Sequence, residues 1–252
     1  MTINFRAVYA VLLREIKVFT REKERVISIL VSPLLFLFAV GKGIEADSPA
    51  AGFTYQQFIY PGTLAMVILF TSITYGLYIV WDKRLDFLKE VLAAPISRGE
   101  LFLGKALGGI FSAVCETIIL LIIGAFFVLK INLISALLCL LACLPISLMI
   151  TAMGLSIGGK MKSMEGFGLV MSFLTWPMFF LSGALFEIKD ENFWLKAAGI
   201  INPFTYCVDI IRRILIGYSH FSVFTDLSVI FAWLILTCFI GIKIFGNLQQ
   251  GK

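Results

Sequence analysis

The residues best placed to do chemistry lie in the stretch Gly99-Glu-Leu-Phe-Leu-Gly104-Lys105-Ala106, which is close to a nucleotide-binding P-loop. A P-loop ends in Ser or Thr, whose hydroxyl binds Mg²⁺, and Ala106 has no hydroxyl. The residues between the glycines are bulky, and the segment before them is a charged helix rather than a strand. Ser97 and Glu100 instead form the Ser-x-x-Glu pattern of a capping box, which predicts the start of a helix.

Other catalytic patterns are missing from the sequence. It contains one histidine, His220, and neither an H-E-x-x-H nor a G-x-S-x-G motif. Cys139 and Cys143 are four residues apart, but no histidine or carboxylate accompanies them as a further metal ligand. We therefore predict no catalytic residue and no metal site. We interpret the five cysteines as small apolar residues of membrane helices: Cys115, Cys139, Cys143, Cys207 and Cys238.

Glu116 is the one clear carboxylate in the middle of an apolar span. Exposure of a carboxylate to lipid is costly, so Glu116 must face protein or water. Two interpretations stand equally: a place in a substrate or proton path, and an interhelical hydrogen bond with a structural role.

The composition indicates an all-α membrane protein with a single domain over residues 1–252. Sixty per cent of the 252 residues are hydrophobic and 15% are charged, and the mean hydropathy is +0.96. A soluble domain is closer to 45–50% apolar and about 25% charged. Six apolar stretches are long enough to suggest transmembrane helices: residues 26–42, 57–81, 104–129, 132–158, 166–186 and 221–245.

Residues 197–217 are also apolar on average, but they contain Asp209, Arg212 and Arg213. Each charge would cost about 2.5–3.5 kcal/mol at the centre of a bilayer, so we do not predict a span here. Asn202-Pro203 predicts a helix start, with an N-cap followed by proline. We expect this helix at the outer interface, its charges solvated or paired, with Asp209 able to pair with Arg213 one turn later.

The distribution of basic residues predicts the topology. With six spans, fifteen of the 21 Lys and Arg residues fall on the side of the two termini. The positive-inside rule then places both termini in the cytoplasm of a multi-pass cell-membrane protein. The basic residues flank apolar spans, which favours contact with anionic lipids over nucleic-acid binding.

Two shorter segments are amphipathic. Residues 3–22 predict a basic helix whose apolar side includes Phe5, Tyr9 and Phe19, a pattern typical of a helix on the membrane surface. In residues 82–95, Leu85, Leu88 and Leu92 recur at helical spacing among charges, and Pro95 ends the segment. Lipid headgroups or a partner protein could cover that second apolar side.

These features resemble a known family along essentially the whole chain. The residues that carry the resemblance are Phe58-Ile-Tyr-Pro61-Gly62, the stretch LKEVLAAPISRGELFLGKALGG from Leu88 to Gly109, Leu181-Ser-Gly-Ala-Leu-Phe186, and Asn202-Pro-Phe-Thr-Tyr206 with Asp209 and Arg212. In order and spacing they are similar to the membrane subunits of ABC-2 type exporters. That group includes drug exporters and exporters of O-antigen, teichoic acid and nodulation factors.

The resemblance implies a permease that is not an enzyme. Two copies would associate, and two separate ABC ATPase subunits would bind ATP and Mg²⁺ and dock beneath them, so no cofactor is expected in this chain. Residues 1–25 would contain an interface helix carrying Arg6, Arg14, Lys17 and Arg21. Residues 82–95 would be the coupling helix, and 187–217 a pair of outer half-helices. The implied ATPase contacts are Leu85, Asp86, Leu88, Lys89, Glu90, Leu92 and Ala94.

The substrate class is the least determined property. Candidate residues of the pathway and its outer gate are Glu116, Trp176, Phe179, Phe180, Trp194 and Tyr206. Aromatic side chains suit an apolar drug or lipid, but they also stack on sugars. We expect a hydrophobic drug or lipid-like substrate, because residues 181–216 resemble the drug-exporter branch more closely. A lipid-linked polysaccharide is the alternative, and a non-transporting membrane scaffold or sensor is the alternative of another class.

Overall fold

The computed structural model describes residues 4–43, 52–85, 96–161, 163, 165–187 and 193–247, and all regular secondary structure within these ranges is helical. We number nine helices in the described ranges: α1 Phe5–Arg21, α2 Lys23–Gly43, α3 Tyr55–Arg84, α4 Arg98–Phe127, α5 Leu133–Lys160, α6 (165–180), α7 Phe193–Ile201, α8 Pro203–Ile216 and α9 Val223–Gly246.

Five of these helices, α2, α3, α4, α5 and α9, are long and apolar enough to cross a membrane. They correspond to five of the six predicted spans. The remaining predicted span, 166–186, is only partly helical, because α6 ends at Phe180 and turns follow. At 1.5 Å per residue, α6 is about 24 Å long. A typical bilayer core is about 30 Å thick, so α6 is short for a full span.

Local sequence signals explain where several helices begin and end. Ser97 and Glu100 form the predicted capping box at the start of α4. Asn202 caps α8 by accepting a hydrogen bond from the N–H of Phe204. Gly217 ends α8 in the left-handed region with a φ of 69°, which glycine adopts without steric cost. The two predicted helix starts, at Ser97 and at Asn202-Pro203, are confirmed.

α3 is the central helix of the bundle. In its most apolar window, 89% of residues are buried, compared with 22% in α2 and 17% in α9. Gly76 of α3 packs so closely against α5 that a Cβ there would meet the backbone of Thr151 and Gly154. Small residues at such crossings allow helices to approach where no hydrophobic effect draws them together. α3 packs directly against α2, α4, α5 and α8.

α2 follows a backbone break at Glu22 and is irregular around Pro33. Glu22, between α1 and α2, has φ −92° and ψ 59°, outside the helical region. Pro33 lies inside the helix, and Phe36–Val40 forms a π-helical turn beyond it. Proline removes a backbone hydrogen bond and bends a helix. Lys23 to Ser32 is therefore a helical segment that follows the break at Glu22 and precedes the bend expected at Pro33.

Candidate functional site

Four charged side chains from three helices meet at the end of α3 that leads to residues 86–95. Lys105 of α4 donates a hydrogen bond of 3.0 Å to Glu15 of α1 and forms an ion pair with Asp82 of α3. Arg14 pairs with the same two carboxylates, at 2.7 Å to Glu15 and 3.3 Å to Asp82. The hydroxyl of Tyr75 donates to the second oxygen of Glu15 at 2.5 Å. We call Arg14, Glu15, Tyr75, Asp82 and Lys105 the charge cluster.

The charge cluster is largely removed from solvent. Lys105 is 3% exposed, Glu15 6% and Asp82 8%. Loss of one member would leave another charge buried without its partner, which costs roughly 3–5 kcal/mol. An intact buried pair adds little to stability beyond a well-packed apolar pair. The cluster therefore specifies how α1, α3 and α4 are arranged more than it raises the total stability.

The electrostatics of Glu15 follow from its neighbours. Burial alone would raise the pKa of Glu15, but Lys105, the Tyr75 hydroxyl and Arg14 together outweigh that effect and lower it. The pKa of Arg14 is shifted upward. Its burial opposes the charged form, while Glu15 and Asp82 favour it and raise the pKa. Both groups are thus held in their ionised forms.

Glycines of α4 allow α1 to reach the cluster. A Cβ on Gly104 would collide with Val11 of α1, and one on Gly108 with Glu15 and the Tyr75 hydroxyl. The two glycines form a Gly-x-x-x-Gly pattern, which lets helix backbones approach closely. The N–H of Asn4 also donates to Glu100 at 2.7 Å, attaching the start of α1 to the capping box of α4.

Lys83 extends the connection to a fourth helix. Its ammonium group donates to the carbonyl of Gly158 at 2.9 Å, to that of Met161 at 3.4 Å, and to Gly159. These carbonyls lie at the end of α5, where a cation is favourable. Asp82 and Lys83 are consecutive, so the last turn of α3 is attached to α1 and α4 on one side and to α5 on the other.

A helix, α1, is present where the sequence predicts the interface helix, and one side of it packs on the protein. Its protein-facing side includes Val8, Val11 and Glu15, whereas Phe5 and Tyr9 are 79% and 62% exposed. Of the four predicted basic residues, Arg14 belongs to the charge cluster. The other three are exposed: Arg6, Lys17 and Arg21.

The predicted coupling residues fall mostly outside the described ranges. Leu85 is described and is 73% exposed. The remaining six lie outside the described residues: Asp86, Leu88, Lys89, Glu90, Leu92 and Ala94. The sequence patterns did not point to Glu15, Tyr75, Asp82 or Lys83 as site residues, and Lys105 stood out only within the P-loop-like stretch. The Gly104–Gly108 spacing was the signal that could have located the contact with α1.

Glu116 lies in the protein interior with no exposed surface. One of its oxygens accepts a hydrogen bond from the Thr71 hydroxyl of α3, while the other has no donor among the described residues. The prediction that Glu116 avoids lipid is consistent with this burial, and the interhelical hydrogen bond is present. A role in a substrate or proton path stays a prediction.

Three of the five predicted aromatic residues come together. The Trp176 ring lies 5.6 Å from that of Phe180 and 6.3 Å from that of Phe179, by ring centroids. Phe70 of α3 is 4.8 Å from Trp176, and Phe36 of α2 is 6.0 Å from Phe179. These five rings form an aromatic cluster between α2, α3 and α6.

The other two predicted aromatic residues lie on α7 and α8. Trp194 is 81% exposed and contacts Phe193. The hydroxyl of Tyr206 donates to the carbonyl of Ile200, and its ring packs on Phe221. Tyr206 therefore contacts α7 and the turn after α8 rather than the aromatic cluster.

The charged side chains of α8 differ from the prediction in their exposure and in their hydrogen-bond partners. Asp209 and Arg212 are 3% and 5% exposed, so they are not solvated. Asp209 accepts hydrogen bonds from the N–H groups of His220 and Phe221, and the expected pairing with Arg213 was wrong. Backbone donors were closer to this carboxylate than the guanidinium one turn later.

Arg212 and Arg213 both bond to backbone carbonyls. Arg213 donates to the carbonyl of Phe221. Arg212 donates at 2.6 Å to the carbonyl of Gly183, in the turn after α6, and lies 4.3 Å from the centre of the Phe58 ring. Burial lowers the pKa of Arg212 to about 10, against the opposing effect of Asp209, so it remains charged at neutral pH. α8 is therefore held against the turn that ends α6.

Comparison with known proteins decides the family. A family described as ABC-2 type transporter matches residues 6–216, most of the chain. The chain belongs to this family. It is thus a transport permease, the membrane subunit of an ABC transporter, and the resemblance inferred from the sequence is confirmed.

Relatives of this ABC-2 permease carry similar names. A protein of Porphyra purpurea named "Putative transport permease ycf38" is 27% identical over 219 residues, covering 81% of this chain and 71% of the relative. "Inner membrane transport permease YadH" of Escherichia coli K12 is 23% identical over 188 residues, covering 73% and 72%. Both are named as permeases rather than enzymes. The charge cluster, the aromatic cluster and α8 all lie within residues 6–216, the part of the chain that matches the family.

Proposed function

We propose that this permease is the membrane half of an ATP-driven exporter, in which a separate ATPase subunit acts on residues 82–95. The observation that carries the proposal is the double attachment at the end of α3, through Asp82 to α1 and α4 and through Lys83 to α5. A displacement of the segment that follows Leu85 would therefore move four helices together. Alternating access in transporters uses rigid-body motions of this kind.

The proposed assembly contains two permease copies and two ABC ATPase subunits, and the ATPases bind ATP and Mg²⁺. Members of the family work with ATPase partners, which supports this arrangement. The proposal places both termini in the cytoplasm and the permease in the cell membrane. Exposed Phe5 and Tyr9 on the basic helix α1 suit insertion among lipid headgroups.

The proposed substrate is a hydrophobic drug or lipid-like molecule that is moved outward. The aromatic cluster supports this choice, because Trp176 and Phe180 stack with a 21° interplanar angle and Phe180 is 41% exposed. A stacked aromatic pair with an accessible face can bind an apolar ring or acyl chain. Such a face can also bind a sugar, so a lipid-linked polysaccharide remains the alternative substrate.

The coupling proposal is tested with Leu88→Asp and Leu92→Asp, each of which would place a charge in a desolvated contact with the ATPase. An unpaired buried charge costs several kcal/mol, and each 1.4 kcal/mol weakens binding about tenfold. We expect membrane-inserted variants that no longer co-purify with the ABC ATPase retained by the wild-type chain. Leu88→Met, which keeps an apolar side chain of similar size, should retain it.

Two outcomes would contradict the proposal in different ways. Aspartate variants that still bind the ATPase and still couple hydrolysis to export would remove residues 82–95 as the coupling element. A wild-type chain that retains no ATPase in mild detergent would instead favour the scaffold or sensor alternative. The substrate is tested separately with Trp176→Ala, which should reduce efflux of a fluorescent hydrophobic dye while leaving ATPase binding unchanged.

A further inference from the structure

Arg25 and Glu116 both contact α3, Arg25 at Tyr75 and Glu116 at Thr71 one turn earlier, and each has a hydrogen-bonding group without a partner among the described residues. Arg25 donates through one terminal nitrogen to Glu22 at 3.0 Å, and its guanidinium lies 4.5 Å from the Tyr78 ring and 5.3 Å from the Tyr75 ring. Its Nε and its other terminal nitrogen are buried and have no acceptor among the described residues. These two N–H groups form one edge of the guanidinium, which binds a carboxylate bidentately.

Glu116 supplies the complementary group. Its Oε1 is buried and lacks a donor among the described residues. Its other oxygen binds Thr71, which lies one helical turn before Tyr75, the residue whose ring faces Arg25. Buried polar groups without partners cost free energy that a hydrogen bond would recover. The two vacant groups belong to different helices, Arg25 to α2 and Glu116 to α4. Because the two unpaired Arg25 nitrogens are buried, a group already inside the protein is the best candidate to pair with them.

The backbone around Arg25 permits the required movement. Arg25 lies in the helical segment Lys23 to Ser32, between the break at Glu22 and Pro33. Beyond Pro33, α2 is anchored, since Gln56 donates to the carbonyl of Leu37 and the rings of Phe38 and Phe127 are in contact. Before Glu22, the charge cluster and the Phe19–Phe111 ring contact hold α1 on α4. Within the segment between, Leu30 is the only buried residue, so this segment is held less firmly than the parts on either side.

We propose that Arg25 and Glu116 form an ion pair in a second conformation of the permease, in which the segment Lys23 to Ser32 moves toward α4. In the described conformation, Thr71 binds Glu116 and Glu22 binds Arg25. In the second, the free edge of Arg25 binds Glu116. The pair is a latch between α2 and α4 that alternates with the Thr71 hydrogen bond. It involves only this chain, so its test is independent of the ATPase and of the substrate.

The latch is tested by electron–electron distance measurements between spin labels at Ile27→Cys and Leu107→Cys, both exposed positions. The permease is placed in lipid nanodiscs with its five native cysteines replaced. We expect two distances in the wild-type background. Glu116→Gln should abolish the shorter distance, and Thr71→Val, which releases Glu116 from α3, should increase its share at least twofold.

Matched controls separate the latch from a general disturbance. Arg21→Gln removes an exposed cation on the other side of Glu22 and should leave both distances unchanged. Labels at Leu35 and Ile122, beyond Pro33, should report one distance in every variant. The double change Arg25→Glu with Glu116→Arg should restore the shorter distance. A single wild-type distance between positions 27 and 107, or a distribution that Glu116→Gln does not alter, would overturn the proposal.

Discussion

Lys105 and Glu15 are hydrogen-bonded at 3.0 Å although 90 residues separate them in the chain. The bond joins the first helix of the permease to a membrane-spanning helix at the position where α3 leads into residues 86–95. Since α1 contacts α4 through this pair and through Gly104 and Gly108, its position is set by protein contacts in addition to any contact with lipid.

Lys105→Met should destabilise the permease by about 3–5 kcal/mol, because it leaves Glu15 and Asp82 buried beside each other with one cation fewer. The measurement is unfolding of the purified protein in detergent. Lys17→Met, which removes an exposed lysine from α1, serves as the matched control and should change the free energy of unfolding by less than about 0.5 kcal/mol. Equal effects of the two changes would show that the charge cluster is not a structural contact.

Gly108→Ala should destabilise the permease by about 1–3 kcal/mol, because the added methyl group would collide with Glu15 and the Tyr75 hydroxyl. Gly99→Ala lies on the same helix with open space around it and should be neutral or slightly stabilising. Thermal unfolding of both variants in parallel provides the comparison. A Gly108→Ala protein as stable as Gly99→Ala would contradict the close approach of α1.

The lowered pKa of Glu15 gives the stability a defined dependence on pH. Its stabilising contribution is fully present above the ordinary glutamate value of 4.5 and is lost as the pH falls through the lower, folded-state pKa. The unfolding temperature of the wild-type protein should therefore fall more steeply below pH 4.5 than that of Glu15→Gln. Parallel curves for the two proteins down to pH 3 would be incompatible with the proposed role of Glu15.

Arg212→Gln should loosen the contact between α8 and the turn after α6. The carbonyl of Gly183 would lose a charge-assisted hydrogen bond, for a cost of about 1.5–3 kcal/mol. A cysteine introduced at position 209, which is nearly inaccessible, should become more reactive toward an impermeant thiol reagent in this variant. Arg6→Gln, a change at an exposed arginine, should leave that reactivity as it is.

The proposed topology is tested by reporter fusions. Fusions after Lys252 or within 159–164 should report the cytoplasm, and fusions within 43–52 or 189–192 should report the exterior. The physical reason is the excess of Lys and Arg on the side of the termini. A cytoplasmic signal from 189–192 would mean that residues 197–217 cross the membrane or that α6 does not, and the six-span arrangement would be wrong.

Helix positions and several of their ends were accessible from the sequence, because they depend on local signals. The apolar runs, the Ser97–Glu100 capping box and Asn202-Pro203 all act over a few residues. The predicted span 166–186 extended too far because Leu181 to Phe186 is apolar, although Gly183 has a φ of 73° and the backbone turns there. Hydropathy measures the preference of side chains for lipid and does not report such a turn.

The contacts between distant helices were not accessible in the same way. Helical periodicity placed Glu15 on α1 but did not identify its partner, since Tyr75, Asp82 and Lys105 are distant in the chain. Asp209 shows that local spacing can also suggest an incorrect partner. A regular four-residue spacing suggested Arg213 as its partner, whereas the turn after α8 brought two backbone N–H groups closer.

The adjacency of Asp82 and Lys83 also has a consequence for protein engineering. Asp82 and Lys83, which bind the neighbouring helices, precede Leu85, and the capping box that begins α4 starts at Ser97. A chimera that takes residues 86–95 from another ABC-2 permease would therefore keep the contacts of Asp82 and Lys83 and the capping box. In the proposed assembly, such a graft would redirect the subunit to a different ATPase, whereas a graft that began at Trp81 would also replace Asp82 and Lys83.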